Sequence, residues 1–134
     1  MSTRTITLTG RPPVKINEAS WPVIAEASDK EFDNQYECQA NQVSEWSVRV
    51  RQHADGRAIV YARYSFESNF QNSRDYNAKR GILMPAGTSH TAICDAIREV
   101  CDEISGAECG GEDANRWPTL AADCIADMPA EELN

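Results

Sequence analysis

WSVRVRQHADGRAIVYARY, residues 46–64, decides the fold class. Trp46, Val48 and Val50 alternate with Ser47, Arg49 and Arg51, a period of two that suits a half-buried strand. Ala58 to Tyr64 is a second β-rich run. Between them His53-Ala54-Asp55-Gly56-Arg57 carries an Asp-Gly pair, a favoured hairpin turn. The stretch therefore reads as an antiparallel hairpin. Its first strand points Arg49 and Arg51 away from Trp46, Val48 and Val50, toward solvent or a partner.

Upstream, Thr5 to Thr9 alternates and is rich in β-branched residues, so it reads as a strand. Gly10-Arg11-Pro12-Pro13 ends it in a turn or a sheet edge, because proline cannot donate to a ladder. Val14 to Ile16 is a short extended continuation. In Asn17 to Ser28, Ser20 can cap a short helix with Pro22 just inside its first turn. Tyr36 to Ala40 is a further strand. Downstream, residues 65–80 are polar and turn-prone and read as a long connection or an extension of the hairpin. Gly81 to Met84 is a short strand closed by Pro85-Ala86-Gly87.

Thr88 to Ser105 is the strongest helix. Ile93, Ile97, Val100, Cys101 and Ile104 fall on one stripe. Ser89 is the expected N-cap and Gly106 the expected stop. Residues 107–118 read as an acidic, Gly-rich loop, Thr119 to Ala126 as a second short helix, and Pro129 to Leu133 as one more turn. Strands grouped before helices make this an α+β fold. The expectation is an antiparallel sheet of three to five strands with a central hairpin, packed by one long and one or two short helices. A chain of 134 residues forms one domain, 1–134.

Composition narrows the setting. No apolar run approaches the length of a membrane span, and the N-terminus lacks the apolar core of a secretory signal, so a cytoplasmic protein is expected. The five cysteines, Cys38, Cys94, Cys101, Cys109 and Cys124, are odd in number and include no CxxC pair. That argues against a disulfide framework and a zinc ribbon. His90 and Cys94 share a helix face with Cys101 two turns on, but burial as small hydrophobes is the better reading of these thiols. Neither a nucleophile motif nor a phosphate-binding glycine loop is present; of the two histidines, His53 beside the turn reads as solvated and His90 in a helix first turn as partly exposed. The chain is expected to be no enzyme and to carry neither cofactor nor metal.

The net charge of -8 is unevenly spread. Seven basic residues stand against three acidic between 49 and 80, and two against eleven between 95 and 134. If the fold separates these segments, it has a basic and an acidic face. Two binding readings follow. In the first, the acidic face Asp95, Glu99, Asp102 and Glu103 docks on a basic groove of a macromolecular partner. In the alternative, Arg49, Arg51, Arg63, Arg74, Lys79 and Arg80, interleaved with Tyr61, Tyr64, Phe66, Phe70 and Tyr76, hold single-stranded nucleic acid through the hairpin 48–64.

ITLTGRPPVKI (6–16), WPVIAEAS (21–28), VRVRQHADGRAIVYARY (48–64) and CIADMPAEEL (124–133) resemble a family of short uncharacterised proteins carried by plasmids, phages and integrated elements of Gram-negative bacteria. The resemblance implies no catalytic residue. It implies a setting in which small acidic proteins inhibit or regulate host nucleic-acid-handling complexes, as anti-CRISPR and antirestriction proteins do. The partner is then a host protein or nucleoprotein. A homodimer through the hairpin or the helix stripe stays open as an alternative, though nothing in the sequence specifies it.

Overall fold

The computed structural model describes residues 2–35, 40–68, 76–108 and 116–133. The expected α+β fold is present, as a four-stranded antiparallel sheet, a separate two-stranded hairpin and two helices. The hairpin is β1 (Thr3–Leu8) and β2 (Arg11–Asn17). The sheet is β3 (Val23–Gln35), β4 (Ala40–Gln52), β5 (Ala58–Ser68) and β6 (Tyr76–Met84), paired in that order. The helices are α1 (His90–Glu108) and α2 (Arg116–Asp127).

The alternation of residues 46–64 is realised in full. Trp46 stands opposite Tyr64, Val48 opposite Ala62 and Val50 opposite Val60. These side chains are buried under the helices, together with Ile93, Ile97, Val100 and Ile104 of α1 and Trp117, Leu120 and Cys124 of α2. Each fully buried aliphatic side chain contributes about 1.5–3 kcal/mol, so the α1 stripe largely secures the helix layer. The turn has three loop residues rather than two. The His53 N–H donates to the Arg57 carbonyl (2.9 Å), the Gly56 N–H donates to the His53 carbonyl (2.9 Å), and Gly56 takes φ 97°. This is a tight turn followed by a glycine bulge.

Several local expectations are corrected. Residues 23–28 begin β3 and are not helical, although Asn17 to Trp21 do form tight turns. Val23 and Ile24 are β-branched, and pairing of the whole segment with β4 outweighs the weak helix signal of Pro22 and the alanines. Pro12 and Pro13 lie in the edge strand β2. Ser89 caps α1 as expected, its Oγ accepting from the Ala92 N–H (3.1 Å), but Gly106 does not end the helix, which runs to Glu108. Glycine in a helix costs only about 1 kcal/mol, less than the buried stripe contributes. The second helix starts at Arg116, with Pro118 in its first turn where a missing N–H is harmless. Pro129 to Leu133 are not helical. Of the strand expected at Tyr36 to Ala40 only Ala40 is described, as the first residue of β4; the rest of it and most of the loop expected at 107–118 lie outside the described residues, as do Cys38, Phe70, Arg74 and Cys109.

The hairpin packs on the sheet face opposite the helices. Ile6, Leu8, Ile16 and Trp21 form a second core with Ile59, joined by Val14, Tyr61 and Leu83. Gly81 permits this approach: a Cβ there would lie 2.4 Å from the Thr7 carbonyl oxygen. Thr9 then meets the outer edge of β6. Its N–H donates to the Gly81 carbonyl (2.9 Å), and its Oγ1 accepts from the Gly81 N–H (3.2 Å). The layers are thus hairpin, sheet and helices, and the hairpin leaves half of its sheet face open.

The other outer strand is also guarded. On β3, the Glu26 N–H donates to Asp127 Oδ2 (2.9 Å) and the Lys30 N–H donates to its neighbour Asp29 Oδ1 (2.8 Å). Arg116 bridges Asp29 and Glu31 while its guanidinium lies over the Trp46 ring at 4.3 Å. Charged groups that occupy edge donors discourage strand pairing with another chain.

Candidate functional site

The open half of the hairpin-side sheet face is a groove of ≈ 580 Å³. β1 forms one wall through Arg4, Thr5, Ile6 and Thr7, and the sheet supplies Ser28, Lys30, Glu45, Ser47, Arg49, Arg63, Ser65 and Lys79. Strand alternation places these sheet side chains on one face, because paired residues of antiparallel strands share a face. Ser28, Ser47, Arg63 and Lys79 form one continuous cross-strand row, each opposite the next. Lys30, Glu45, Ser65 and Asn77 form the adjacent row.

Three of the cations here are neutralised locally. Arg4 Nε donates to Glu18 (2.8 Å), Arg49 pairs with Glu26 (3.2 Å) and Lys30 with Glu45 (3.2 Å). The Arg4 hydrogen bond is the main reason that Glu18 is held below the ordinary carboxylate range. Arg63 and Lys79 differ. They stand directly opposite one another, both exposed, and neither pairs with a carboxylate among the described residues. Like charges directly opposite across two strands repel. An anion between them would relieve that repulsion.

The basic cluster expected from sequence is therefore only partly assembled. Arg49, Arg63 and Lys79 line the groove. Arg51 does not reach solvent. It is 6% exposed, with Nε donating to Tyr61 Oη (2.8 Å) and Nη1 to the Trp21 carbonyl (3.0 Å). The hairpin covers this end of β4, which strand alternation could not reveal. Arg80 lines the groove from the opposite register, opposite Ala62, and donates to the Lys79 carbonyl (2.8 Å). The aromatic partners expected for base stacking are largely spent on packing. Tyr64 is buried, Phe66 packs against the helix-side core and Tyr61 is tied to Arg51. Tyr76 is 42% exposed but stands opposite Phe66, on the helix side. Sequence reading missed Arg4, Ser28, Ser47 and Ser65. The hydroxyl residues Ser47 and Ser65 share the outward phase of Arg49 and Arg63, which was the available signal.

The acidic residues lie on the far side of the molecule. Asp95, Glu99 and Asp102 are exposed along one stripe of α1, Asp95 pairing with Arg98 (3.1 Å). Glu103 is half-buried and accepts from Thr9 Oγ1 (3.2 Å), so it belongs partly to the junction with the hairpin. The charge polarity read from the sequence becomes a separation across the sheet.

His53 and the three described thiols are packed against neighbouring side chains. His53 is not simply solvated: its ring lies 5.1 Å from that of Trp21, and Nδ1 accepts from the Asp55 N–H (3.0 Å). Asp55 is held below its ordinary value, first by the Arg57 N–H and then by the Arg57 side chain. Cys94, Cys101 and Cys124 are buried, and burial pushes Cys101 and Cys124 up to about 12. Among the described residues no three His, Cys, Asp or Glu side chains converge as metal ligands, and no helix is long and apolar enough to cross a membrane. Comparison with protein-family models, curated proteins and solved structures yields no match.

Proposed function

We propose that this chain is a non-enzymatic interaction protein that holds an anionic segment of a macromolecular partner in the groove beside β1. The observation that carries the reading is the unneutralised pair Arg63 and Lys79, facing each other on the groove floor. The Ser47 hydroxyl stands directly opposite Arg63, with Ser28 beyond it in the same row, and supplies a neutral hydrogen-bond donor beside the pair. Polyglutamate and oligothymidylate, each labelled and titrated at low salt, serve as probes. At least one should bind, with affinity falling as salt rises and falling further in the double variant Arg63→Glu, Lys79→Glu. Failure of both probes to bind the unaltered protein removes the reading.

A second reading keeps the α1 face as the contact. Asp95, Glu99 and Asp102 form an exposed acidic stripe with Arg98 as the cation beside it. Such a stripe can dock on the basic groove of a host nucleic-acid-handling complex, the setting that the resemblance to mobile-element proteins implies. Charge reversal at all three positions should abolish recovery of a nuclease-resistant host complex from bacterial lysate. Unchanged recovery removes this reading.

A further inference from the structure

We propose that the groove takes an extended acidic peptide, which adds to the free edge of β1 as a third strand of the hairpin. The inference rests on the groove reading above and names its occupant. β1 hydrogen-bonds to β2 on one side only, and its own residues wall the groove. A strand edge of this kind carries unpaired N–H and C=O groups at peptide spacing. The other edges are guarded: Pro12 and Pro13 interrupt β2, Asp127 and Asp29 occupy donors of β3, and Thr9 holds Gly81 of β6. The β1 edge is closed at its C-terminal end, where the Thr7 carbonyl abuts Gly81 and the Thr9 N–H donates to the Gly81 carbonyl, but it shows no such device ahead of Thr7 among the described residues.

What lies beneath that edge selects the side chains of the incoming strand. Neighbouring strands stand roughly 4.8 Å apart, which sets the spacing of Arg63 and Lys79 in their row. Alternate residues of an extended peptide point the same way, at intervals of about 6.6 Å. Carboxylates on that phase can reach the two cations, one each, while the peptide backbone pairs with β1. Main-chain bonds would then give affinity and the downward carboxylates specificity.

A peptide fits this site better than a nucleic acid strand. The β1 edge offers carbonyl acceptors as well as N–H donors, and a phosphodiester backbone has no donor to satisfy them. Base stacking needs exposed rings in the groove; Tyr64 and Phe66 are packed against the helix side, and Phe32, exposed on the groove's face of β3, is not part of the groove lining.

The probe is a capped peptide of alternating glutamate and threonine, as long as β1, added to the full chain. Two readouts are taken together: affinity, and amide hydrogen exchange across Thr3–Leu8. Saturable binding is expected, with slowed exchange at the outward amides of β1 ahead of Thr7, where the edge is open. Affinity should fall at least about tenfold when the peptide is N-methylated on its pairing phase, and by a similar factor in Arg63→Glu, Lys79→Glu. The N-methylated peptide leaves the protein unaltered, so a folding defect cannot imitate that loss. If the peptide binds through the two cations but N-methylation and β1 exchange are unaffected, the groove reading survives and strand addition is overturned. If oligothymidylate binds and the peptide does not, the occupant is nucleic acid and the proposal falls alone. If β1 amides are protected without peptide in proportion to protein concentration, a second copy occupies the edge and the proposal is again overturned. If neither probe binds, both readings fall.

Discussion

Replacing Gly81 with alanine should detach the hairpin from the sheet. The new Cβ would sit 2.4 Å from the Thr7 carbonyl oxygen and 3.2 Å from Leu8 Cδ2, where ordinary contact begins at 3.4 Å. The close neighbour is backbone, so no side-chain rotation relieves the clash and β1 itself must retreat. Overpacking of this kind costs about 1–3 kcal/mol. The two bonds between Thr9 and Gly81 are strained or lost with it, at about 0.5–1.5 kcal/mol each. The total is about 2–6 kcal/mol, a large part of the ~5–15 kcal/mol that holds a typical domain folded. Urea unfolding followed by tryptophan fluorescence measures it, since Trp21 lies in the hairpin core and Trp46 and Trp117 in the helix core. Gly106 is the internal control. A Cβ there meets nothing within 4 Å and the residue is helical, so Gly106→Ala should stabilise by roughly 0.5–1 kcal/mol. A loss below about 1 kcal/mol for Gly81→Ala would refute the close-approach account. Because β1 walls the groove, a larger loss should be accompanied by weaker binding of whichever anionic probe the groove takes.

Arg51→Met should destabilise the chain by about 2–4 kcal/mol, because it leaves the Tyr61 hydroxyl and the Trp21 carbonyl without their donor in a covered site. Thermal unfolding checks this, and a neutral result would mean that Arg51 is solvated after all. The buried thiols give a pH dependence of known sign. Cys101 and Cys124 are raised from 9.0 to about 12 by burial, so the folded state keeps its protons where the unfolded state loses them. Their contribution is fully present below pH 9 and is lost as pH rises from there toward 12. Urea midpoints should accordingly fall with pH across the alkaline range, and both thiols should resist alkylation at about pH 8 until denaturant is added. Rapid native-state modification of Cys101 or Cys124 would contradict their burial.

Residues 46–64 specified their own structure because period-two alternation and a glycine that accepts positive φ are local properties. The α1 stripe and its Ser89 cap were legible for the same reason: both need only residues within a few turns of one helix. Segment 23–28 was misread because its local signal is nearly balanced. Pro22 and the alanines permit a helix, Val23 and Ile24 favour a strand, and the decision comes from hydrogen bonds to β4, about twenty to thirty residues away. Gly106 illustrates the converse, a local stop signal outweighed by burial on the same helix.

The candidate site divides in the same way. Composition alone showed that positive charge concentrates between 49 and 80 and negative charge after 95. It could not show that Arg63 and Lys79 stand opposite each other, because register is set by the pairing of β5 with β6. Nor could it show that the hairpin covers Arg51 and leaves Arg63 open. The alternation of β4 assigns Arg49 and Arg51 to the same face, and only the packing of β1 at Gly81 distinguishes one end of that face from the other. Strand identity and charge content follow from the order of residues along the chain. Which cations remain unpaired, and beside which free edge, follows from contacts between segments far apart in sequence, whose free energy no local pattern records.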